Sequence, residues 1–146
     1  GVVYRRLLNR QDAKIANSMR EPGEDVDRLA SLTIDAAMEV HITLGAGFLE
    51  SVYQKALAIE LTLRGVPYEQ EKPISLDYKG RAVGDARLDF LVGKLLIVEL
   101  KAVEEIHPIH HAQVINYLKA TKLELGLLIN FNVPLLKQGI KRVVLT

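Results

Sequence analysis

The sequence contains no cysteine. That excludes a disulfide scaffold, a Cys-ligated zinc or iron–sulfur site and a thiol nucleophile. It fits a reducing compartment, and a cytoplasmic location is the expectation. No apolar run exceeds the four residues of Leu95-Leu96-Ile97-Val98, far short of a bilayer span, and no secretory signal is visible. Internal repeats and low-complexity stretches are absent. A strong charge of one sign is missing too: 19 Lys+Arg against 18 Asp+Glu leave +1. A chain that holds nucleic acid by its field alone is usually more basic.

What is present is one domain's worth of globular sequence. The chain has 146 residues, 49% hydrophobic and 25% charged, which argues against disorder. A chain this long buries roughly two thirds of its unfolded surface and needs no metal to fold. The charge is unevenly spread. Arg5, Arg6, Arg10, Lys14 and Arg20 against Asp12 give the first twenty residues +4, leaving −3 for the rest. Residues 1–24 therefore read as a basic extension, either an arm that lies on phosphates or a solvated segment. Residues 25–146 read as the domain.

Within that domain the patterning predicts ααβββαββ. Leu29, Leu32, Ala36, Ala37, Val40 and Leu44 follow helical spacing, with Asp25 or Asp27 as the expected cap. Gly45-Ala46-Gly47 breaks that helix, and a second runs from about Phe48 or Leu49 to Gly65. Strands are predicted over Tyr68–Tyr78, Arg81–Val92 and Leu95–Leu100, turning at Lys79-Gly80 and Gly93-Lys94. A helix begins at Pro108, and apolar strands follow over Gly126–Phe131 and Ile140–Leu145. The fold class is α/β, with helices flanking a mixed sheet.

Charges stand where such strands should have none. Asp89 interrupts Leu88 and Phe90-Leu91-Val92, while Glu99 and Lys101 interrupt Ile97-Val98, Leu100 and Ala102. Glu99 and Lys101 share a strand face. Asp89 joins them only if Val92 pairs with Leu96, so that Gly93, Lys94 and Leu95 form a three-residue loop. In that register two carboxylates and an ammonium converge at the end of a buried hairpin. Such a set suits Mg²⁺, with Mn²⁺ as substitute, or else forms an ion-pair cluster that balances itself. On the next helix His110, Gln113 and Tyr117 share one side, placed to meet a phosphate backbone or a base, or simply exposed. Ile109, Ala112, Ile115 and Leu118 are expected to supply that helix's core face. His107 and His111 read as ordinary surface histidines. Glu50, in the first turn of the second helix, either serves the helix dipole or reaches the same site.

Gly47-Phe48-Leu49-Glu50-Ser51-Val52-Tyr53 resembles the G-x-x-E-x-x-Y signature of the GxxExxY proteins, which are placed in the PD-(D/E)XK nuclease-like superfamily. The resemblance runs from about Asp25 to the C-terminus and includes Gly126-Leu127-Leu128-Ile129-Asn130-Phe131. Asp89 looks like the superfamily's metal-binding Asp, with Leu88 where a Pro often stands. Glu99-Leu100-Lys101 looks like its E-x-K, and Glu50 resembles the acid supplied by the first core helix. Gln113 to Tyr117 is similar to the Q-x-x-x-Y motif of the RecB-like branch, although many RecB-like enzymes carry His where Glu50 falls. The resemblance implies a restriction-endonuclease-like core and a metal-dependent nuclease acting on nucleic acid, more readily DNA. It assigns the metal to Asp89, Glu99, the Leu100 carbonyl and Glu50. Lys101 then completes the catalytic set with Asp89 and Glu99, and Gln113, Tyr117 and His110 position substrate. The alternative is an inactive nuclease-fold module that binds nucleic acid or a protein. A homodimer is compatible with either.

Overall fold

The structure, a computed structural model, describes residues 23–145. The basic extension therefore lies outside the described residues as far as position 22. Helix α1 (Glu24–Leu44) forms where Val26, Ala30, Ala36, Ala37 and Val40 recur at helical spacing and become buried. Its first turn carries Glu24, Asp25 and Asp27, which complement the helix dipole. Neither Asp25 nor Asp27 is the cap. Gly23 takes that position without a side-chain bond, and Asp27 instead accepts a bond from Arg142 at 2.7 Å. Gly45 ends the helix at φ 74°.

Helix α2 (Glu50–Leu63) opens with Glu50, one residue after its N-cap Leu49. Strands β1 (Tyr68–Tyr78), β2 (Arg81–Val92) and β3 (Leu96–Lys101) then run antiparallel. Helix α3 (Pro108–Thr121) crosses to β4 (Leu125–Asn130), which pairs parallel with β3. A 3-10 turn over Leu136–Gly139 leads to the antiparallel β5 (Ile140–Val144). The strand order is β1-β2-β3-β4-β5. This is the predicted element order, with the 3-10 turn added.

Alternation along the strands divides the interior into two layers. Phe90, Val92, Leu96, Val98, Leu100, Leu127 and Ile129 pack with α1 and α2. On the other face Leu88, Ile97, Leu128 and Val143 pack with Val114 and Leu118 of α3. The expected core face of α3 is only partly right. Ile109 is 71% exposed and Ala112 is exposed as well. A helix docked over a sheet turns one narrow stripe inward, and here that stripe is Val114 and Leu118 with Ile115 beside them.

Gly126 lets α3 approach β4 closely. A Cβ at that position would stand 2.6 Å from Val114 Cγ1. Gly126→Ala is expected to destabilise the protein by about 1–3 kcal/mol through overpacking. In a Val114→Ala background the same change should cost far less, because the new methyl enters the space the valine vacated. Urea unfolding of the four proteins in this cycle measures the coupling, and simple additivity would contradict the close approach.

Candidate active site

The β2–β3 register is the one the site requires. Val92 pairs with Leu96, Leu91 with Ile97 and Phe90 with Val98, leaving Gly93, Lys94 and Leu95 as the loop. Beyond Phe90 and Val98 the main-chain ladder stops and side chains take over its hydrogen bonds. The Asp89 amide donates to Glu99 Oε1 at 3.0 Å. The Leu100 amide donates to Asp89 Oδ2 at 2.8 Å. Each carboxylate thus replaces a main-chain acceptor, and the acid pair is built into the backbone of the hairpin.

The neighbouring strand changes course at the same place. Tyr68 of β1 packs toward α1 and α2, whereas Ile74 packs toward α3. Phe90 and Leu88 of β2 divide in the same way. Between these residues lies Glu71, in the left-handed region at φ 55°, opposite Asp89 and missing from the regular pairing. Glu71 accepts a 2.6 Å bond from Gln54 Nε2 of α2, and its charge acts on Asp89. Sequence patterning did not reveal Glu71, because a strand glutamate with positive φ leaves no periodic trace.

Burial dominates the electrostatics. Glu99 is 4% exposed, and its pKa is pushed up to about 8, first by desolvation and then by the charge of Asp89. Asp89 is also raised, mainly by burial, against the opposing pull of the Leu100 amide, the Glu99 carboxyl and Lys101. Glu50 is raised by burial and by Asp89, with Lys101 opposing. Lys101 therefore lies within electrostatic reach of three carboxylates, yet among the described residues it makes no ion pair with any of them. The charges do not form a self-balancing salt-bridge cluster.

From the α3 layer, the pKa of Tyr117 is raised by burial and by the charges of Glu99 and Asp89, with the Gln113 side chain opposing. Both residues are half-buried on the side facing the sheet. His110 lies on that side too, with its pKa lowered by desolvation and by Lys101 and His107. Its Nδ1 accepts the His107 amide at 3.1 Å, half of a reciprocal capping box. His107 thus caps a helix and is not merely a surface residue, while His111 is exposed.

A brace of buried polar and aromatic groups fixes these pieces. The Tyr53 hydroxyl donates to the Gly45 carbonyl at 2.6 Å and accepts from the Phe48 amide at 3.2 Å. That bond pattern ties the glycine loop, where Gly47 has φ 105°, to the turn carrying Glu50. The Tyr53 ring stacks on Phe131 at 4.5 Å, and the Phe131 amide donates to the Lys101 carbonyl at 2.9 Å. Asn130 holds the chain leaving β3: its Oδ1 accepts from the Val103 amide and its Nδ2 donates to the Val103 carbonyl. Gly47, Glu50 and Tyr53 accordingly do three different jobs, as turn, acid and anchor.

Hard oxygen donors that must otherwise share protons are suited to a divalent cation. Asp89, Glu99 and the Leu100 carbonyl offer such a set at the point where the ladder opens. Glu50 stands near but does not complete a ready cage: among the described residues no three His, Asp or Glu side chains converge as a metal-holding group. A family model described as the PD-(D/E)XK nuclease superfamily matches residues 27–143. No curated protein and no solved structure matches the chain.

A carboxyl that binds its proton more tightly when folded contributes stability that is complete below its unfolded pKa and lost as pH rises through the folded one. For Glu99 that window runs from the ordinary value of 4.5 to about 8. In EDTA, the Tm of the protein should fall across this window, and Glu99→Gln should flatten the fall. A Glu99-dependent rise would contradict the assignment. Tyr53→Phe removes both loop bonds and should cost about 1–2 kcal/mol in urea unfolding; an unchanged midpoint would show that the loop is held by other contacts.

Proposed function

The chain belongs to the PD-(D/E)XK nuclease superfamily, and from that premise we propose that it is a Mg²⁺-dependent nuclease that hydrolyses phosphodiester bonds of DNA. The proposal includes the GxxExxY family and the RecB-like branch, on the residues Gly47, Glu50 and Tyr53 and on Gln113 with Tyr117. It also includes a cytoplasmic location, which suits a Cys-free chain; no helix among the described residues is long and apolar enough to cross a membrane. The observation that carries the reading is the pairing of buried Glu99 with half-buried Asp89, each bonded to the other strand's backbone and neither ion-paired with Lys101. A pair built only for stability would be expected to take its lysine as a direct partner.

In this reading Asp89, Glu99 and the Leu100 carbonyl hold the cation, and Glu50 assists directly or through water. The cation, when bound, supplies polarisation of a phosphoryl oxygen and lowers the pKa of a bound water. Lys101 stabilises the negative charge that develops on phosphorus oxygens and orients the attacking water. Gln113 and Tyr117 position the substrate from the α3 side. His110 joins them through Nε2, which carries the proton because Nδ1 accepts the His107 amide. Residues 1–24 form a basic extension to the domain of residues 25–146 and add salt-sensitive affinity for phosphates. A bound Mg²⁺ offsets two of the charges of Glu50, Asp89 and Glu99, so the near-neutral chain can approach a phosphate backbone.

A second reading, an inactive nuclease-fold module that binds nucleic acid or a protein, is favoured by one observation: the three acids do not form a preassembled cage. Purified protein with plasmid and linear DNA separates the two. With Mg²⁺ or Mn²⁺ the protein is expected to degrade DNA, and Lys101→Ala and Asp89→Asn should each lose about 100-fold or more. Calorimetry with Mn²⁺ should show binding that Glu99→Gln abolishes. Robust cleavage by both variants would overturn the site, whereas retained nucleic-acid binding with neither metal binding nor cleavage would support the module.

A further inference from the structure

The hairpin that carries Asp89 outruns the rest of the sheet. β3 pairs with β2 only as far as Phe90 and Val98, whereas β1 and β2 stay paired out to Tyr78 and Arg81. From Leu88 to the Lys79-Gly80 turn they form a two-stranded ribbon about 25 Å long. Among the described residues no third strand borders it on either edge. Residues 77–85 are all exposed. Such a ribbon is marginal in water by itself, and this one is held at its root, where Ile74 and Leu88 pack against the α3 layer.

The two faces of the ribbon differ in chemistry. Directly opposed residues of an antiparallel pair share a face, and Tyr78 stands opposite Arg81. By alternation these two lie on the face that Ile74 and Leu88 turn toward α3, the helix that carries Gln113 and Tyr117. Asp77, opposite Ala82, and Asp85, opposite Ser75, lie on the reverse face. At the turn the Lys79 ammonium sits 5.4 Å from the centroid of the Tyr78 ring. Neither Lys79 nor Arg81 makes an ion pair among the described residues. The tip therefore offers an aromatic ring and two uncommitted cations, with its acids turned the other way.

We propose that this tip enters the major groove of a DNA duplex, an inference that rests on the nuclease reading and names its substrate as double-stranded. The major groove is about 12 Å wide and admits a two-stranded β-ribbon. In that pose Arg81 faces base edges, where a guanidinium pairs with guanine, and Lys79 meets a phosphate. Asp77 and Asp85 point away from the duplex, so the acids do not oppose its approach. Asp89 lies at the root of the same ribbon, so a duplex held by the tip has its backbone led toward the opening. A single strand has no groove to receive the ribbon and gains the phosphate contact alone.

Fluorescence anisotropy of labelled DNA with the full chain, in EDTA and again with Ca²⁺, measures binding apart from cleavage. The parent is expected to bind a duplex about tenfold or more tighter than a single strand of equal length. Replacing both cations, Lys79→Ala with Arg81→Ala, should weaken duplex binding about 10–100-fold and lower its salt slope by about two. Asp77→Ala, on the reverse face, should not weaken it. The urea midpoint of the double variant should match that of the parent, because both side chains are exposed. Equal affinity for duplex and single strand overturns the proposal, and so does a double variant that binds like the parent. A parent that binds no duplex overturns it as well, whether or not the tip instead joins two copies of the chain in sedimentation. Tip-dependent duplex binding without cleavage in Mg²⁺ or Mn²⁺ upholds the ribbon and counts against the nuclease reading. Cleavage of single-stranded DNA alone does the reverse.

Discussion

The exchange of hydrogen bonds between Asp89, Glu99 and Leu100 is the constraint around which the structure is arranged. A regular antiparallel ladder would leave no carboxylate at this depth. Here the ladder stops after Phe90 and Val98, and the two acid side chains take the amides that the main chain no longer serves. Desolvation makes the arrangement expensive for charged carboxylates, which is why Glu99 is pushed to about 8. The cost is tolerated because the surrounding layers over-determine the hairpin: Phe90 and Val98 are locked under α1 and α2, and Ile97 under α3. Strain at Glu71, in a left-handed conformation on the adjoining strand, sits at the same point.

The rest of the fold acts as a holder for that opening. Tyr53 connects the glycine loop to Phe131, and Phe131 connects in turn to the carbonyl of Lys101. One chain of contacts therefore couples the turn that presents Glu50 to the strand end that presents Lys101. Asn130 fixes the exit from β3, and the histidine capping box starts the helix that carries Gln113 and Tyr117. Each group that faces the opening is rigid because a residue behind it is buried. Around the buried Glu99, the side chains of Glu50, Asp89, Lys101, Gln113 and Tyr117 are half-buried.

Much of this was legible from residues alone, and the boundary of legibility has physical causes. The element order followed from apolar periodicity, and the Val92–Leu96 register followed from requiring one face to hold all three charged residues. Asp25 and Asp27 were expected as the cap of α1, but Gly23 takes that position and Asp27 reaches Arg142 on a distant strand, a contact that helical spacing does not encode. Ile109 and Ala112 fit helical periodicity, yet the angle at which α3 docks turns them outward. Glu71 and Gln54 were invisible: one depends on a positive φ and the other on a contact between elements seventeen residues apart. The role of Tyr53 as an anchor needed the position of Phe131, which no local spacing encodes.

In the proposed nuclease, the opening between Asp89 and Glu99 receives a divalent cation. Anomalous diffraction from crystals soaked in Mn²⁺ at neutral pH tests it most directly. A single strong peak is expected within coordination distance of both carboxylates, with the Leu100 carbonyl turned toward it. Crystals that take up no Mn²⁺ there, while Asp89 and Glu99 keep their bonds to each other's backbone, would contradict it.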